Sequence, residues 1–149
     1  MKITNRSFFR DYQIIESYEA GVALIGAEVK SVRAGHMRLD DAFVRIVGHD
    51  VFLINADIQI YEFSRPQGYD PRRSRRLLLH KRQITRLRTK LAGGGRLTIA
   101  PVSCYNKGSI FKLEIALARG RGEIEKKKLV KARDERIAQK REAKEYMKV

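Results

Sequence analysis

Residues 96–120, RLTIAPVSCYNKGSIFKLEIALARG, can be laid out in one regular way. The segment turns at Asn106, Lys107 and Gly108, and after the turn Phe111, Leu113, Ile115 and Leu117 fall on one face while Lys112 and Glu114 fall on the other. A period of two belongs to a strand with one dry side and one wet side. One face is core, and the other is available to a partner.

Other stretches repeat the signal. DYQIIESYEAGVALIG, from Asp11 to Gly26, reads as two strands broken by a turn at Glu19 to Gly21. DAFVRIVGHDVFLINADIQIYEF, residues 41–63, alternates on both sides of Gly48, His49 and Asp50 and reads as a hairpin. Ile25, Val29 and Val32 are spaced for a short amphipathic helix that stops on Gly35, and Ile84, Leu87 and Leu91 define a second that stops at Gly93 to Gly95. The second helix leaves Arg82, Arg86, Arg88 and Lys90 on its outer surface. Many short strands with few helices predict a mainly β, small antiparallel barrel.

Charge narrows the function. The 149 residues carry 32 Lys or Arg against 17 Asp or Glu, a net +15. Such an imbalance repels itself unless a polyanion neutralises it. Nine of the cations lie between Arg72 and Lys90 with no acid among them, around Leu77, Leu78 and Leu79, which are expected to anchor the segment to the barrel. Ordinary surfaces mix signs, so this run is read as a nucleic-acid contact through Arg72, Arg73, Arg75, Arg76, His80, Lys81 and Arg82, joined by Lys30 and Arg33 of the first helix. The run holds no aromatic ring, which favours a folded RNA's backbone and shape over single-strand stacking. From Arg119 the composition changes to twelve basic and six acidic residues with sparse apolar ones, so residues 1–118 form the RNA-binding domain and 119–149 a basic tail. That tail is expected to be disordered alone and helical on a negatively charged surface.

Other chemistries lack their residues. Asp40 and Asp41 are adjacent and point apart on an extended chain, so they read as a turn before a strand. His36, His49 and His80 are scattered, and the single Cys104 can form neither an internal disulfide nor half of a metal site. Gly93 to Gly95 follow a helix, where the amides of a phosphate loop are missing. No catalytic set, metal or cofactor is expected. No apolar run approaches the ~20 residues that span a bilayer, and no signal-peptide core opens the chain, so a cytoplasmic protein without a membrane partner is expected.

Three motifs carry a resemblance. YEAGVALIGAEVKSVRAG at 18–35, DPRRSRRLLLHKRQI at 70–84 and FKLEIALARGR at 111–121 resemble the small protein B family, bacterial partners of transfer-messenger RNA. The resemblance implies an oligonucleotide-binding-like barrel with two or three short helices outside it. It implies a protein that binds the tRNA-like domain of transfer-messenger RNA, enters stalled ribosomes and stands in for the codon–anticodon part of a tRNA; a monomer is expected. By motif position the family's RNA-binding residues fall on Glu19, Leu78 and Lys112. A tail contacting ribosomal RNA at the decoding site would use Arg119, Arg121, Glu125, Lys126, Lys127, Lys131 and Arg133. There Glu125-Lys126-Lys127 replaces the family's Asp-Lys-Arg triplet, keeping charge but not identity.

Overall fold

The computed structural model describes residues 1–63 and 67–147, and the side chains of all of these except 123–126 and 142–147. In chain order the elements are β1 (Lys2–Thr4), α1 (Phe8–Asp11), β2 (Tyr12–Val22), α2 (Gly26–Arg33), β3 (Met37–Arg38), β4 (Phe43–Val47), β5 (Asp50–Ile54), β6 (Asp57–Ile58), β7 (Arg75–Leu78), α3 (Lys81–Ala92), β8 (Leu97–Lys107), β9 (Ile110–Gly120) and α4 (Glu123–Met147).

The main sheet runs β1-β8-β4-β5-β7-β2-β9, and β9 also pairs with β8. That last pairing closes six antiparallel strands on themselves, an OB-like arrangement that leaves no long free edge. β1 lies on the far end of β8, and β3 with β6 makes a separate two-stranded sheet. The interior holds Ala20, Val44, Leu53, Leu77, Ile99, Leu113, Ile115 and Leu117, with Val32 of α2 and Leu87 of α3 packed against them.

β8 and β9 form the hairpin that the alternation predicts, with Gly108 at φ +61° in its turn. β8 slips register between Pro101 and Ser103. A proline cannot donate to the ladder and is tolerated at such a bulge. Asn5 secures it, donating Nδ2 to the Pro101 carbonyl at 2.9 Å and its amide to Val102 at 2.8 Å. Outside the ring Phe8 of α1 is fully buried on a floor of Ala100, Val102, Ala116 and Ala118. Its burial contributes roughly 1.5–3 kcal/mol. This second cluster makes both faces of β8 and β9 apolar over those residues.

Two sequence expectations change. β2 is one eleven-residue strand instead of two with a turn. Glu19, Ala20 and Gly21 are paired with Glu114, Leu113 and Lys112 of β9, and Gly21 is paired also with Leu78 of β7. The leucine triplet does not act as one anchor either: Leu77 is 3% exposed and Leu78 57%, because neighbours on a strand face opposite ways.

A buried ion pair ties α2 to β7. Glu28 Oε2 accepts from Arg75 Nη2 at 2.6 Å and Nε at 2.9 Å, with both side chains fully buried. Arg75 also donates to the Ala56 carbonyl at 2.6 Å and the Pro71 carbonyl at 2.9 Å. The other Glu28 oxygen accepts from the Ile25 amide, capping α2, and pairs with Arg73. Burial alone pushes the Glu28 carboxyl up, but the Ile25 amide, Arg73 and Arg75 together outweigh it and hold the group below the usual carboxylate range.

Candidate nucleic-acid interface

The register builds a flat outer row across four strands. Gly21 lies opposite Leu78 on one side and Lys112 on the other, and Lys112 lies opposite Tyr105. Cross-strand partners share a face, so Leu78, Gly21, Lys112 and Tyr105 stand side by side. Two residues along β2, on the same face, Glu19 lies opposite Glu114. The three residues singled out by resemblance thus meet on one surface. Gly21 shapes it: a Cβ there would sit 3.2 Å from Leu78 Cβ, a tight contact that would push Leu78 aside by a few tenths of an ångström, so the bare position lets Leu78 lie close over the strand.

Glu19 is held in place. It accepts from the Tyr105 hydroxyl, and Lys107 Nζ lies 3.1 Å from its Oε1. Those contacts, the hydroxyl first, keep its carboxyl below the usual range, and the same bond pushes Tyr105 up to about 12. The row therefore offers a fixed acceptor, an exposed leucine and a lysine within a few ångströms of bare backbone. Anion, apolar contact and cation together can take a base edge or ribose hydroxyl, a ring and a phosphate. Tyr105 and Lys107 were not among the sequence candidates, although counting from the turn at Gly108 aligns Tyr105 with Lys112.

Beside this row, α3 rests on β2 through Glu16, which pairs with Arg86 at 2.8 Å and with Lys90. Arg86, Lys90 and the Tyr18 hydroxyl lower the Glu16 carboxyl to about 2. Two cations of the expected free outer surface are therefore engaged. Glu16, Ser17, Tyr18, Arg82, Gln83 and Arg86 line a groove of about 450 Å³ between α3 and β2. Lys81 and Arg82 are exposed at the N-terminal turn of α3, which contains no acid. Cations at a helix N-terminus oppose its dipole, a cost an arriving phosphate removes. His80 immediately precedes that turn, exposed, and its amide donates to Gln83 Oε1 at 3.1 Å.

The basic run is otherwise divided by strand geometry. Arg75 is a correction: it points inward to Glu28, is fully buried and cannot touch a partner. Arg76, facing the other way, is 60% exposed and pairs with Asp50 at 3.0 Å. Arg73 is 39% exposed and bound to Glu28, and Arg72 is exposed, donating to Asn55 at 3.0 Å. Lys30 lies over the Tyr61 ring at 5.5 Å, and Arg33 is exposed on the same helix.

At the other end Arg119 belongs to β9, paired with Gln13 and Leu97. Arg121 is likewise tied to the body: its amide donates to Asp11 at 2.8 Å and its Nε to the Phe9 carbonyl at 3.1 Å. Lys127, Lys131 and Arg133 are exposed on α4, and a cleft of about 670 Å³ between α4 and α1 is lined by Arg10, Asp11, Lys127, Val130, Lys131, Asp134 and Glu135. The side chains of Glu125 and Lys126 lie outside the described ones. Among the described residues no three His, Cys, Asp or Glu converge as a metal would require, and no helix is long and apolar enough to cross a membrane.

Comparison with known proteins places these features in context. Residues 2–145 match the family model described as SmpB protein. An SsrA-binding protein of Persephonella marina is 46% identical over 131 residues, covering 88% of this chain and 86% of that one. One of Deinococcus radiodurans is 48% identical over 118 residues, 79% and 82% of the two chains, and one of Streptococcus pyogenes is 40% identical over 142 residues, 95% and 91%. A chain from the solved structure described as "tmRNA-SmpB: a journey to the center of the bacterial ribosome" superposes with a TM-score of 0.67 at 41% identity, covering 82% of this chain and 85% of that one.

Proposed function

The chain belongs to the SmpB family, and from that membership we propose how it works: it binds transfer-messenger RNA and carries it to the ribosome for trans-translation. It is an RNA-binding adaptor without catalytic chemistry, working in the cytoplasm as a monomer.

The face bearing Glu19, Leu78 and Lys112 grips the tRNA-like domain of the RNA. The observation that carries this reading is the single bare row in which Gly21 seats Leu78 on one side and Lys112 on the other. Lys112 meets a phosphate, Leu78 packs on a sugar or base, and Glu19 accepts a hydrogen bond that cations cannot accept. Lys81 and Arg82 at the start of α3, with Arg72, Arg73 and Arg76, supply further phosphate contacts, and Lys30 and Arg33 extend the positive field. Phosphate contact dominates affinity, so binding weakens steeply with salt.

The tail does different work. Past β9 the α4 segment carries Lys127, Lys131 and Arg133 outward. On the ribosome it follows the empty message channel as a helix near the decoding site, where the protein stands in for the missing codon–anticodon part of a tRNA. The body binds the RNA, and the tail engages ribosomal RNA. Purifying the tagged protein from bacteria and sequencing the RNA that accompanies it tests the reading. Transfer-messenger RNA is expected as the dominant species, and its loss is expected with Glu19→Ala plus Lys112→Ala. Enrichment of ribosomal RNA alone, unchanged by that pair, would instead mark a ribosome assembly factor.

A further inference from the structure

The basic run lacks aromatic rings, but the fold brings rings to a different set of cations. After β6 the chain is pinned against α2, where Ser31 Oγ donates to the Gln59 carbonyl at 2.7 Å and the Gln59 amide donates to His36 at 3.2 Å. The Tyr69 hydroxyl fixes the preceding carbonyl, of Ile58, at 2.8 Å. From this anchored start Ile60, Tyr61 and Phe63 emerge at the surface. Phe63 is 81% exposed, the most of any large apolar side chain among the described residues. Its ring meets that of Tyr61 edge-on, with centroids 5.7 Å apart and planes at 67°. Lys30 Nζ stands 5.5 Å from the Tyr61 centroid. Arg33, one helical turn from Lys30, is exposed.

A lone exposed apolar side chain needs no explanation. Here two rings occupy a stretch of three residues, one of them braced by a cation and the other open to solvent. Open π faces flanked by Lys and Arg are the combination that holds unpaired bases, because every base has a face to stack and a phosphate to neutralise. Glu62 between the two is exposed. Its carboxylate repels a phosphate laid directly on the rings but can accept from a base's exocyclic amine, which favours a base over backbone at this point.

We propose that Phe63 and Tyr61, flanked by Lys30 and Arg33, form a stacking platform for an unpaired nucleobase of RNA, outside the Glu19–Leu78–Lys112 row. The base lies on the open face of Phe63, the edge-on Tyr61 holds that ring in position, and the α2 cations take the neighbouring phosphates. The site rests on the RNA-binding reading above and adds a stacking contact to it. Two RNAs present this chemistry, the transfer-messenger RNA and the ribosomal RNA of the small subunit.

The chain contains no Trp, so Phe63→Trp installs a single indole at the platform. That variant is titrated with the tRNA-like domain of transfer-messenger RNA and, separately, with small ribosomal subunits. Indole quenching at saturation is expected in one arm, and that arm identifies the RNA. Against the same RNA, Phe63→Ala is expected to weaken binding about tenfold, while Phe63→Tyr retains it. No quenching in either arm, or Phe63→Ala binding as tightly as the unaltered protein, overturns the platform. Glu19→Ala measured in parallel separates the two readings: weakened binding there with Phe63→Ala unaffected removes the platform and leaves the main interface standing.

Discussion

Replacing Arg75 with alanine tests whether the basic run is correctly divided between core and surface. The fully buried guanidinium makes two bonds to Glu28, one each to the Ala56 and Pro71 carbonyls, and a longer one to the Tyr69 hydroxyl at 3.3 Å. Arg75→Ala leaves a buried carboxylate whose remaining partners are the Ile25 amide, Arg73 and a long contact from Tyr69. Removing one member of a buried pair costs about 3–5 kcal/mol, out of a total stability of roughly 5–15 kcal/mol. For a chain of this size that lowers the melting temperature by roughly 10 °C.

The pH dependence makes the test specific. Glu28 has a depressed folded-state pKa, so its contribution is present above the ordinary carboxylate value of 4.5 and is lost as pH falls through the lower folded value. In Arg75→Ala the carboxyl keeps its burial and loses one of its two cations, so its pKa rises and protonation relieves the site. The stability gap between the two proteins, measured by urea denaturation, is therefore wide at neutral pH and narrows below 4.5. RNA affinity of the folded variant, measured in the cold, stays within about twofold, whereas Arg76→Ala keeps its stability and loses affinity. A gap under about 1 kcal/mol, or one that does not close in acid, would refute the buried charged pair.

Further outcomes follow from the same geometry. Phe8→Ala empties the pocket over the alanine floor and is expected to cost about 3–5 kcal/mol in chemical denaturation, with RNA affinity unchanged once folded. Truncation after Gly122 spares binding to the tRNA-like domain and abolishes peptide tagging in a reconstituted translation assay; tagging by the shortened protein would remove the tail from the mechanism. Glu16→Gln frees α3 from β2, seen as faster amide exchange in α3, and because Glu16 titrates near 2 the unaltered protein shows no such loosening at mildly acidic pH.

Much of this fold is written in short-range periodicity. The β8–β9 and β4–β5 hairpins, α2 with its stop at Gly35 (φ +84°) and α3 all follow from period and turn residues, because in each the apolar face is the buried one. β2 is hidden by its own short-range pattern. Glu19-Ala20-Gly21 looks like a turn locally, and only pairing on both sides of β2, invisible in one strand, makes that small polar stretch part of a continuous strand. Arg75 escaped because a charge run is read by composition. The period of two was present in Arg75-Arg76-Leu77-Leu78 and puts Arg75 with the buried Leu77 and Arg76 with the exposed Leu78, but its partner Glu28 lies 47 residues away. The Phe63 and Tyr61 rings are plain in the sequence, whereas their meeting with Lys30 depends on how β6 returns to α2.

The central claim is that the bare row through Gly21 is the RNA grip. It is tested most directly by the affinity of the unaltered protein and of Lys112→Ala for the tRNA-like domain across a salt series. If Lys112 meets a phosphate, the variant binds about ten- to a hundredfold more weakly and its salt slope falls by about one. An unchanged affinity and an unchanged slope would contradict the assignment and move the RNA to another face of the protein.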